Sequence, residues 1–341
     1  MGLQYDWGHE ERKSPVRRRI PGSMPRHGSC DPWDYRMEET SMDGCVCTTS
    51  GELGIALSGG GARALAQLGV LKVLDRHGIP LSYVAGTSAG AVIGAVYVTS
   101  ENALEAEERI LDHLHSQGTG FNTETFARLA GNESGSGGAL LDIGRGLWRA
   151  VRQEALVGGE EMRASLHGLL GDATCEAGRI PFATTALDLV SGRRMIFAAG
   201  PLVEAVYASS AIPGLFEPIE LYDHVLVDGG WAEPVPVNTC HHMGAIHIIA
   251  VDVPAGRAPM GGKGGIATAF RADALTRDLL EENQLREADF VLRPQVTVAH
   301  FADFSDAAGL IEAGERSAEA SIDAIEAVIE RHQSLFIRAR G

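Results

Sequence analysis

One serine of this chain has the sequence neighbours of a catalytic nucleophile. Ser88 is the central residue of Gly86-Thr87-Ser88-Ala89-Gly90, which has the spacing G-x-S-x-G. A strand pattern precedes it and a helical pattern begins at Ala89, and a serine at such a turn exposes its hydroxyl for attack on a carbonyl carbon. A chain with 42 glycines also contains this spacing by chance, so a turn without a chemical role stays open on the motif alone.

A second glycine-rich turn offers main-chain hydrogen-bond donors. Gly59, Gly60 and Gly61 separate a short apolar segment from a helical pattern, and Arg63 follows them. Consecutive glycine amides at the start of a helix form a cradle for an anion, either a phosphate or the oxyanion of an acyl-transfer intermediate. The dinucleotide pattern G-x-G-x-x-G is not completed, because Ala64 occupies its last position. A purely structural turn fits this segment equally well.

A serine hydroxyl also needs a base that accepts its proton, and an aspartate is better placed for this than any histidine. Asp228 ends the apolar segment VLV and precedes Gly229 and Gly230, so we expect its carboxylate at the same sheet edge as the two turns. Asp188 and Asp252 end other apolar segments and remain alternatives, although neither precedes a glycine pair. None of the candidate histidines follows a predicted strand end by itself: His77, His113, His115, His167, His224, His241 and His242.

The predicted elements alternate between strands and helices around both glycine turns. Apolar runs predict strands at 53–59, 83–87, 181–190, 194–199, 225–230, 245–253 and 289–296. Periodic apolar faces predict helices at 62–78, 89–98, 202–210 and 267–288, and an amphipathic helical tail from 306 to about 331. This alternation is typical of an α/β fold whose mainly parallel sheet is covered by helices on both faces.

Two regions depart from this pattern. Residues 1–50 contain scattered prolines, mixed charges and little apolar periodicity, so we expect a disordered or loosely attached N-terminal extension before a domain at 51–335. Residues 116–180 combine the glycine-rich segment NESGSGG with apolar helical stretches, which predicts a helical insertion. The sequence fits a mobile lid over a site and a packed helical excursion equally well.

Composition excludes several functional classes. The net charge of −16 argues against nucleic-acid binding and against broad docking on anionic lipid. The five cysteines are scattered, without a disulfide framework or zinc-ligand spacing, so we expect reduced thiols, a cytoplasmic location and no bound metal. We expect no membrane-spanning helix, since no apolar run reaches about 18 residues, and no secretory signal.

The three motifs, in this order, resemble those of the patatin-like phospholipase family of lipid acyl hydrolases. Gly59 to Arg63 matches the family's G-G-G-x-[RK] block, Gly86 to Gly90 its G-x-S-x-G block, and Asp228 to Gly230 its Asp-Gly-[Gly/Ala] block. The segments ASSAIPGLFEP at 208–218 and EPVPV at 233–237 add to the resemblance. It implies a three-layer α/β/α patatin-like fold with a serine–aspartate dyad, no catalytic histidine and no cofactor.

The resemblance also implies a role for each matched residue. Ser88 corresponds to the nucleophile and Asp228 to the general base. The amides of Gly60 and Gly61 correspond to the oxyanion hole, with Gly59 shaping the turn. Further supporting residues of the same motifs are Arg63, which would order the glycine loop, Gly86, Gly90, Gly229 and Gly230.

Three positions depart from the family's usual residues, and none of them is part of the implied dyad. The chain has Ala64 where the family often has Gly, Gln67 where it often has His, and Glu233 where it often has Asn. Alanine is a strong helix former, so we expect Ala64 to be tolerated inside the helix that follows the glycine turn.

Motifs and resemblance together predict a serine lipid acyl hydrolase, a phospholipase or esterase that cleaves carboxylic esters through an acyl-serine intermediate. The alternatives are an acyltransferase with the same intermediate and a catalytically idle regulator that binds lipid in the same cleft. A lipid ester substrate implies transient contact with a membrane surface, so we expect a cytoplasmic protein that is peripheral at a membrane.

Overall fold

The structure, a computed structural model, describes residues 53–116, 159–221, 223–254, 264–296 and 301–339. The predicted N-terminal extension, residues 1–50, and residues 117–158 of the predicted insertion lie outside this part of the chain. The domain boundaries and the lid interpretation therefore stay predictions.

The described chain is built around one eight-stranded β-sheet. Its strands are β1 (Leu53–Leu57), β2 (Tyr83–Gly86), β3 (Phe182–Asp188), β4 (Arg194–Phe197), β5 (Ile219–Leu221), β6 (His224–Asp228), β7 (His247–Val251) and β8 (Phe290–Leu292). The order is β5-β6-β3-β2-β1-β7-β8, and β4 also pairs with β3. Strands β3, β2, β1, β7 and β8 are parallel, whereas β4 and β6 run antiparallel to β3, and β5 to β6. The predicted α/β fold with a mainly parallel sheet is confirmed.

Helices cover both faces of the sheet. They are α1 (Leu65–Arg76), α2 (Ala89–Val98), α3 (Ala103–Ser116), α4 (Gly159–Leu170), α5 (Leu202–Ser210), α6 (Val237–Met243), α7 (Gly265–Leu285), α8 (Ala307–Glu319) and α9 (Ile322–Ala339). Because successive strand residues point to opposite faces, Ile55 and Leu57 of β1 join a larger core with α1, α2 and α5. Ala56 joins a smaller core on the other face with α6.

Two helices have the predicted bounds. Helices α1 and α7 differ from the predictions at 62–78 and 267–288 by two or three residues at each end, and the sequence patterns do not predict α3 or α6. The helices predicted at 89–98 and 202–210 coincide with α2 and α5. The amphipathic helical tail predicted from 306 to about 331 consists of two helices, α8 and α9. The Ser321 amide donates to the carbonyl of Ala318, three residues earlier, which interrupts the α-helical hydrogen-bond pattern between them.

Helices α1 and α8 cross with their backbones in contact, and two glycines permit this approach. A Cβ on Gly69 of α1 would run into the carbonyl oxygen of Ile311, and a Cβ on Gly314 of α8 would run into that of Ala66. The crossing anchors α1, which lies close behind the glycine turn at residues 59–61. This helix crossing therefore supports the turn that carries the candidate hydrogen-bond donors.

We expect Gly314→Ala to destabilise the fold, because the added methyl group must push two packed helix backbones apart. Overpacking of this kind lowers the free energy of unfolding by roughly 1–3 kcal/mol. Gly265→Ala is the matched control, since this glycine at the start of α7 has open space around it. Alanine favours a helix by up to about 1 kcal/mol over glycine. Urea unfolding should move the two midpoints in opposite directions, and equal midpoints would contradict the close crossing.

Candidate active site

Ser88 occupies a strained turn between β2 and α2. It adopts φ 55° and ψ −126°, and among the described residues it is the one non-glycine residue with positive φ. The glycines on either side make this turn possible. A Cβ on Gly86 would lie 2.5 Å from the carbonyl oxygen of Gly90, and a Cβ on Gly90 would run into the carbonyl oxygen of Leu57. The spacing G-x-S-x-G is thus required by close backbone contacts at this turn.

The Ser88 hydroxyl donates a hydrogen bond of 2.6 Å to Oδ2 of Asp228. Asp228 ends β6, and its other oxygen, Oδ1, accepts the Gly230 amide at 2.7 Å. Close packing of β6 on β3 sets this position, since a Cβ on Gly229 would run into the carbonyl oxygen of Thr185. Both carboxylate oxygens are therefore held in place, and one of them faces the serine.

Burial raises the pKa of Asp228 to about 6. The side chain is only 3% exposed, so its charged form has lost most of its hydration. Hydrogen bonds from Ser88 and Gly230 and the positive charge of Arg277 act in the opposite direction and lower the pKa. The Arg277 guanidinium stacks over the ring of Trp231, 4.4 Å from the ring centre, three residues after the aspartate.

The end of α5 holds both members of the Ser88–Asp228 pair. The Ser88 amide donates to Oγ of Ser209 at 2.9 Å, and the Asp228 amide donates to the carbonyl of Ala211, also at 2.9 Å. Between them, Ser210 lines the cavity in front of Ser88. Its buried Oγ has no hydrogen-bond partner in the described part of the chain. The sequence alone assigns none of these residues a role, because adjacent serines give no signal of which way each hydroxyl points.

The glycine turn packs directly against Ser88. A Cβ on Gly59 would lie 3.3 Å from Cβ of Ser88, and the Gly59 amide donates to the carbonyl of Pro234 at 3.1 Å. The amides of Gly60 and Gly61 make no hydrogen bond to any other described residue. Two main-chain donors are thus available beside the serine hydroxyl, while the third glycine fixes the path of the turn.

Two side chains pin this turn from behind. Nε of Arg63 donates to the carbonyl of Val253 at 3.3 Å, and a Cβ on Gly60 would lie 2.6 Å from a methyl group of the same valine. Nε2 of Gln67, one of the departures from the family pattern, donates to the carbonyl of Ser58 at 2.7 Å. The first hydrogen bond links the turn to the segment after β7, and the second links α1 to the residue that precedes the turn.

A second departure, Glu233, is also fully bonded. Its buried carboxylate pairs with Arg194 of β4 at 2.7 Å and accepts the amide of Thr239 at 3.0 Å. Its backbone carbonyl accepts the hydroxyl of Thr87, the residue before Ser88, at 2.8 Å. The glutamate therefore connects the loop after Asp228 to the start of β4 and to the turn after β2.

The alternative bases have other partners. Asp188 accepts Nδ1 of His224 at 2.9 Å and the hydroxyl of Ser191 at 2.6 Å. Asp252 pairs with Arg293 at 2.8 Å. No histidine of the described ranges is hydrogen-bonded to Ser88. Those with side-chain partners bind elsewhere, as in the pairs His77–Glu319, His113–Ser165, His167–Asp172 and His224–Asp188.

A largely apolar cavity opens in front of Ser88 and Gly61. Its walls come from α1, α2, α3 and α4, from the end of α5 and from the segment at 301–304. Typical lining residues are Leu65, Val92, Ile110, Met162, Leu166 and Phe216. Helix α4, the longest described element of the predicted insertion, forms one wall of the cavity.

Within residues 53–116, 159–221, 223–254, 264–296 and 301–339, no three histidine, cysteine, aspartate or glutamate side chains are grouped as ligands for a metal ion. In the same part of the chain, no helix combines the length and the hydropathy that a bilayer span requires.

We expect alanine at the two adjacent serines of α5 to have opposite effects on stability. Ser209→Ala removes the acceptor of the Ser88 amide, and an unpaired buried donor costs roughly 1–3 kcal/mol. Ser210→Ala removes a buried hydroxyl that has no described partner, so the free energy of unfolding should stay constant or rise. Chemical unfolding measures both changes, and an equal loss in the two variants would contradict the different bonding of these hydroxyls.

Several proteins resemble this chain over part of its length. Neuropathy target esterase sws of Drosophila melanogaster is 29% identical over 207 residues, which is 60% of this chain and 13% of that protein. An uncharacterised NTE family protein of Mycobacterium tuberculosis is 29% identical over 206 residues, 60% of this chain and 50% of its own length. Human patatin-like phospholipase domain-containing protein 6 is 27% identical over 207 residues, 60% of this chain and 14% of its own. The chain thus spans half or less of these relatives.

Among solved structures, human GIVD cytosolic phospholipase A2 aligns with 82% of this chain and 60% of its own, at 12% identity and a TM-score of 0.47. VipD from Legionella pneumophila aligns with 80% of this chain and 67% of its own, at 14% identity and a TM-score of 0.43. The family model described as patatin-like phospholipase matches residues 55–241, more than half of the chain and the whole region that carries the three motifs. This chain therefore belongs to the patatin-like phospholipase family.

Proposed function

We propose that this protein hydrolyses carboxylic esters of lipids, with Ser88 as the nucleophile and Asp228 as the general base. The observation that carries the proposal is the 2.6 Å hydrogen bond from a serine on a strained turn to a buried carboxylate. Relatives named as an esterase and as phospholipase domain-containing proteins, together with family membership, support a lipid ester as the substrate class.

The reaction proceeds in two halves. Asp228 accepts the proton of Ser88 Oγ while this oxygen attacks the ester carbonyl carbon, and a tetrahedral intermediate forms. The protonated Asp228 then gives the proton to the leaving alcohol oxygen as the carbon–oxygen bond breaks, which leaves an acyl-serine. In the second half, Asp228 takes a proton from water as the water attacks the acyl group, and it returns the proton to Ser88 as the carboxylic acid leaves.

Main-chain donors stabilise the negative charge that develops on the carbonyl oxygen. The free amides of Gly60 and Gly61 supply the oxyanion hole, and Gly59 and Arg63 keep their loop in place. Loss of one such donor typically costs about 3–4 kcal/mol of transition-state stabilisation. The N-terminus of α2, directly after Ser88, adds the positive end of a helix dipole. Gly86, Gly90, Gly229 and Gly230 support this geometry through the close contacts that they permit or the hydrogen bond that they donate.

The raised pKa makes Asp228 a more effective base than an exposed aspartate. With a pKa of about 6, it is ionised at neutral pH and still has an appreciable affinity for the proton of the hydroxyl. The apolar cavity in front of Ser88 fits the acyl chain of the substrate, since its lining consists mainly of aliphatic and aromatic side chains. A soluble ester with a short acyl chain should enter the same cavity.

We expect Ser88→Ala to abolish hydrolysis of a short-chain p-nitrophenyl ester, with a loss of at least about a thousandfold in kcat, because no acyl-enzyme can form. The variant should also fail to react with a fluorophosphonate probe, which labels an activated serine. Ser116→Ala, at the exposed end of α3, is the control and should hydrolyse and label like the wild type. Wild-type turnover in Ser88→Ala would refute the assignment of the nucleophile.

We expect kcat/KM for the same ester to fall about tenfold per pH unit below about pH 6, because only ionised Asp228 accepts the proton. In Arg277→Gln this acidic limb of the pH profile should shift to higher pH, because removal of a positive charge favours the protonated carboxyl of Asp228. Circular dichroism at each pH separates this limb from unfolding. An activity that stays constant down to pH 4 in folded protein, or a limb that does not move in Arg277→Gln, would contradict this role and this environment of Asp228.

A further inference from the structure

The turn between β3 and β4 exposes two consecutive large apolar side chains. Leu189 is 55% exposed and Val190 is 65% exposed. Other exposed large apolar residues occur in the described ranges, but these two are the ones adjacent in sequence. Single apolar residues at the surface need no explanation, whereas a pair at the point of a turn forms a small convex apolar surface. We call residues 189–193 the β3–β4 tip.

The β3–β4 tip is held rigidly by a buried carboxylate. Asp188, which is fully buried, accepts the amides of Val190 at 3.0 Å and Ser191 at 3.2 Å, and the hydroxyl of Ser191 at 2.6 Å. It also accepts the amide of Val225 at 3.2 Å and Nδ1 of His224 at 2.9 Å, both from the neighbouring strand β6. The backbone of the apolar pair is therefore held in a fixed conformation, so binding to a surface does not require the turn to lose conformational entropy.

The β3–β4 tip projects from the sheet edge that carries the candidate active site. Strands β2 and β3 are parallel, with Gly86 opposite Thr184, so Ser88 and the tip lie toward the same ends of these strands. Strand β3 continues to Asp188, four residues after Thr184, so the tip begins roughly 13 Å beyond the level of Gly86 at about 3.3 Å per residue. The tip therefore extends beyond Ser88 at the same ends of the strands.

The charges around the tip favour an uncharged surface. Arg193 is exposed within the tip, and Asp223 and Glu220 are exposed in and beside the adjacent turn between β5 and β6, so the described surroundings of the tip carry no excess of positive charge. The net charge of −16 for the whole chain opposes attraction to anionic lipid. Two exposed apolar side chains on a short turn suit insertion into a fluid interface.

We propose that Leu189 and Val190 insert into the interface of a zwitterionic lipid bilayer and hold the Ser88 edge against it. This rests on the proposed function, since a lipid ester substrate resides in such an interface. Insertion transfers the exposed parts of two apolar side chains out of water, which gives weak and reversible binding. The transient membrane contact that a lipid ester substrate implies is here assigned to a described and rigid turn.

The test is flotation of the full chain with phosphatidylcholine vesicles. We expect the double variant Leu189→Ser, Val190→Ser to bind about tenfold or more weakly than the wild type. Ile246→Ser is the matched control, because Ile246 is 48% exposed and precedes β7 at the opposite edge of the sheet. This control should bind like the wild type. All three proteins should hydrolyse the short-chain soluble ester at the same rate, because neither site touches the reacting groups.

Each possible result decides the proposal. The proposal is overturned if the double variant binds vesicles as tightly as the wild type, or if Ile246→Ser loses as much vesicle binding as the double variant. It is also overturned if the wild type binds only anionic vesicles. If the double variant fails to fold, Val190→Phe tests the proposal instead. Its larger apolar side chain should tighten vesicle binding severalfold, and unchanged binding would overturn the proposal. Ser88→Ala should still float with vesicles. Tip-dependent flotation without any esterase activity would refute the proposed hydrolysis and leave the membrane contact standing.

Discussion

The candidate site depends on one short hydrogen bond between residues 140 positions apart in the chain, from the hydroxyl of Ser88 to the carboxylate of Asp228. Several features of the fold serve to bring these two groups together. The backbone contacts at Gly86 and Gly90 hold the serine in a conformation that non-glycine residues rarely adopt. The contact of Gly229 with β3 fixes the position of the Asp228 carboxylate relative to the sheet. The end of α5 accepts hydrogen bonds from the backbone amides of Ser88 and Asp228.

This arrangement places a cost on the folded state. Folding raises the pKa of Asp228 from its ordinary value of 3.8 to about 6, so the unfolded chain ionises at lower pH than the folded chain. The contribution of this group to stability therefore decreases as pH rises through that interval and is restored as pH falls through it. At neutral pH the protein holds a buried negative charge that its hydrogen bonds and Arg277 offset only in part. Destabilised groups of this kind are common where chemistry needs a base.

The sequence predicts regular elements well and the bonding of individual side chains poorly. Helix α2 is predicted to the residue because small and apolar side chains continue without interruption from Ala89 to Val98. Strand β5 has only three residues, and α6 follows the prolines of EPVPV. Neither segment therefore shows a periodic pattern of apolar residues that would predict its structure. Asp188, Asp228 and Asp252 all end apolar segments, and the residues alone leave them open as bases until the resemblance selects one. Only the fold shows that two of them are bonded to other side chains.

The departures from the family pattern show how the site and the rest of the sheet edge form one rigid unit. Glu233 stands where the family often has Asn, and its carboxylate requires a cation because it is completely buried. Arg194 supplies that charge from the first residue of β4, immediately after the β3–β4 tip. The same glutamate binds Thr87 through its carbonyl and follows Asp228 by five residues. Glu233 thus ties the residue before Ser88, through its carbonyl, to the strand that follows the exposed tip, through its carboxylate.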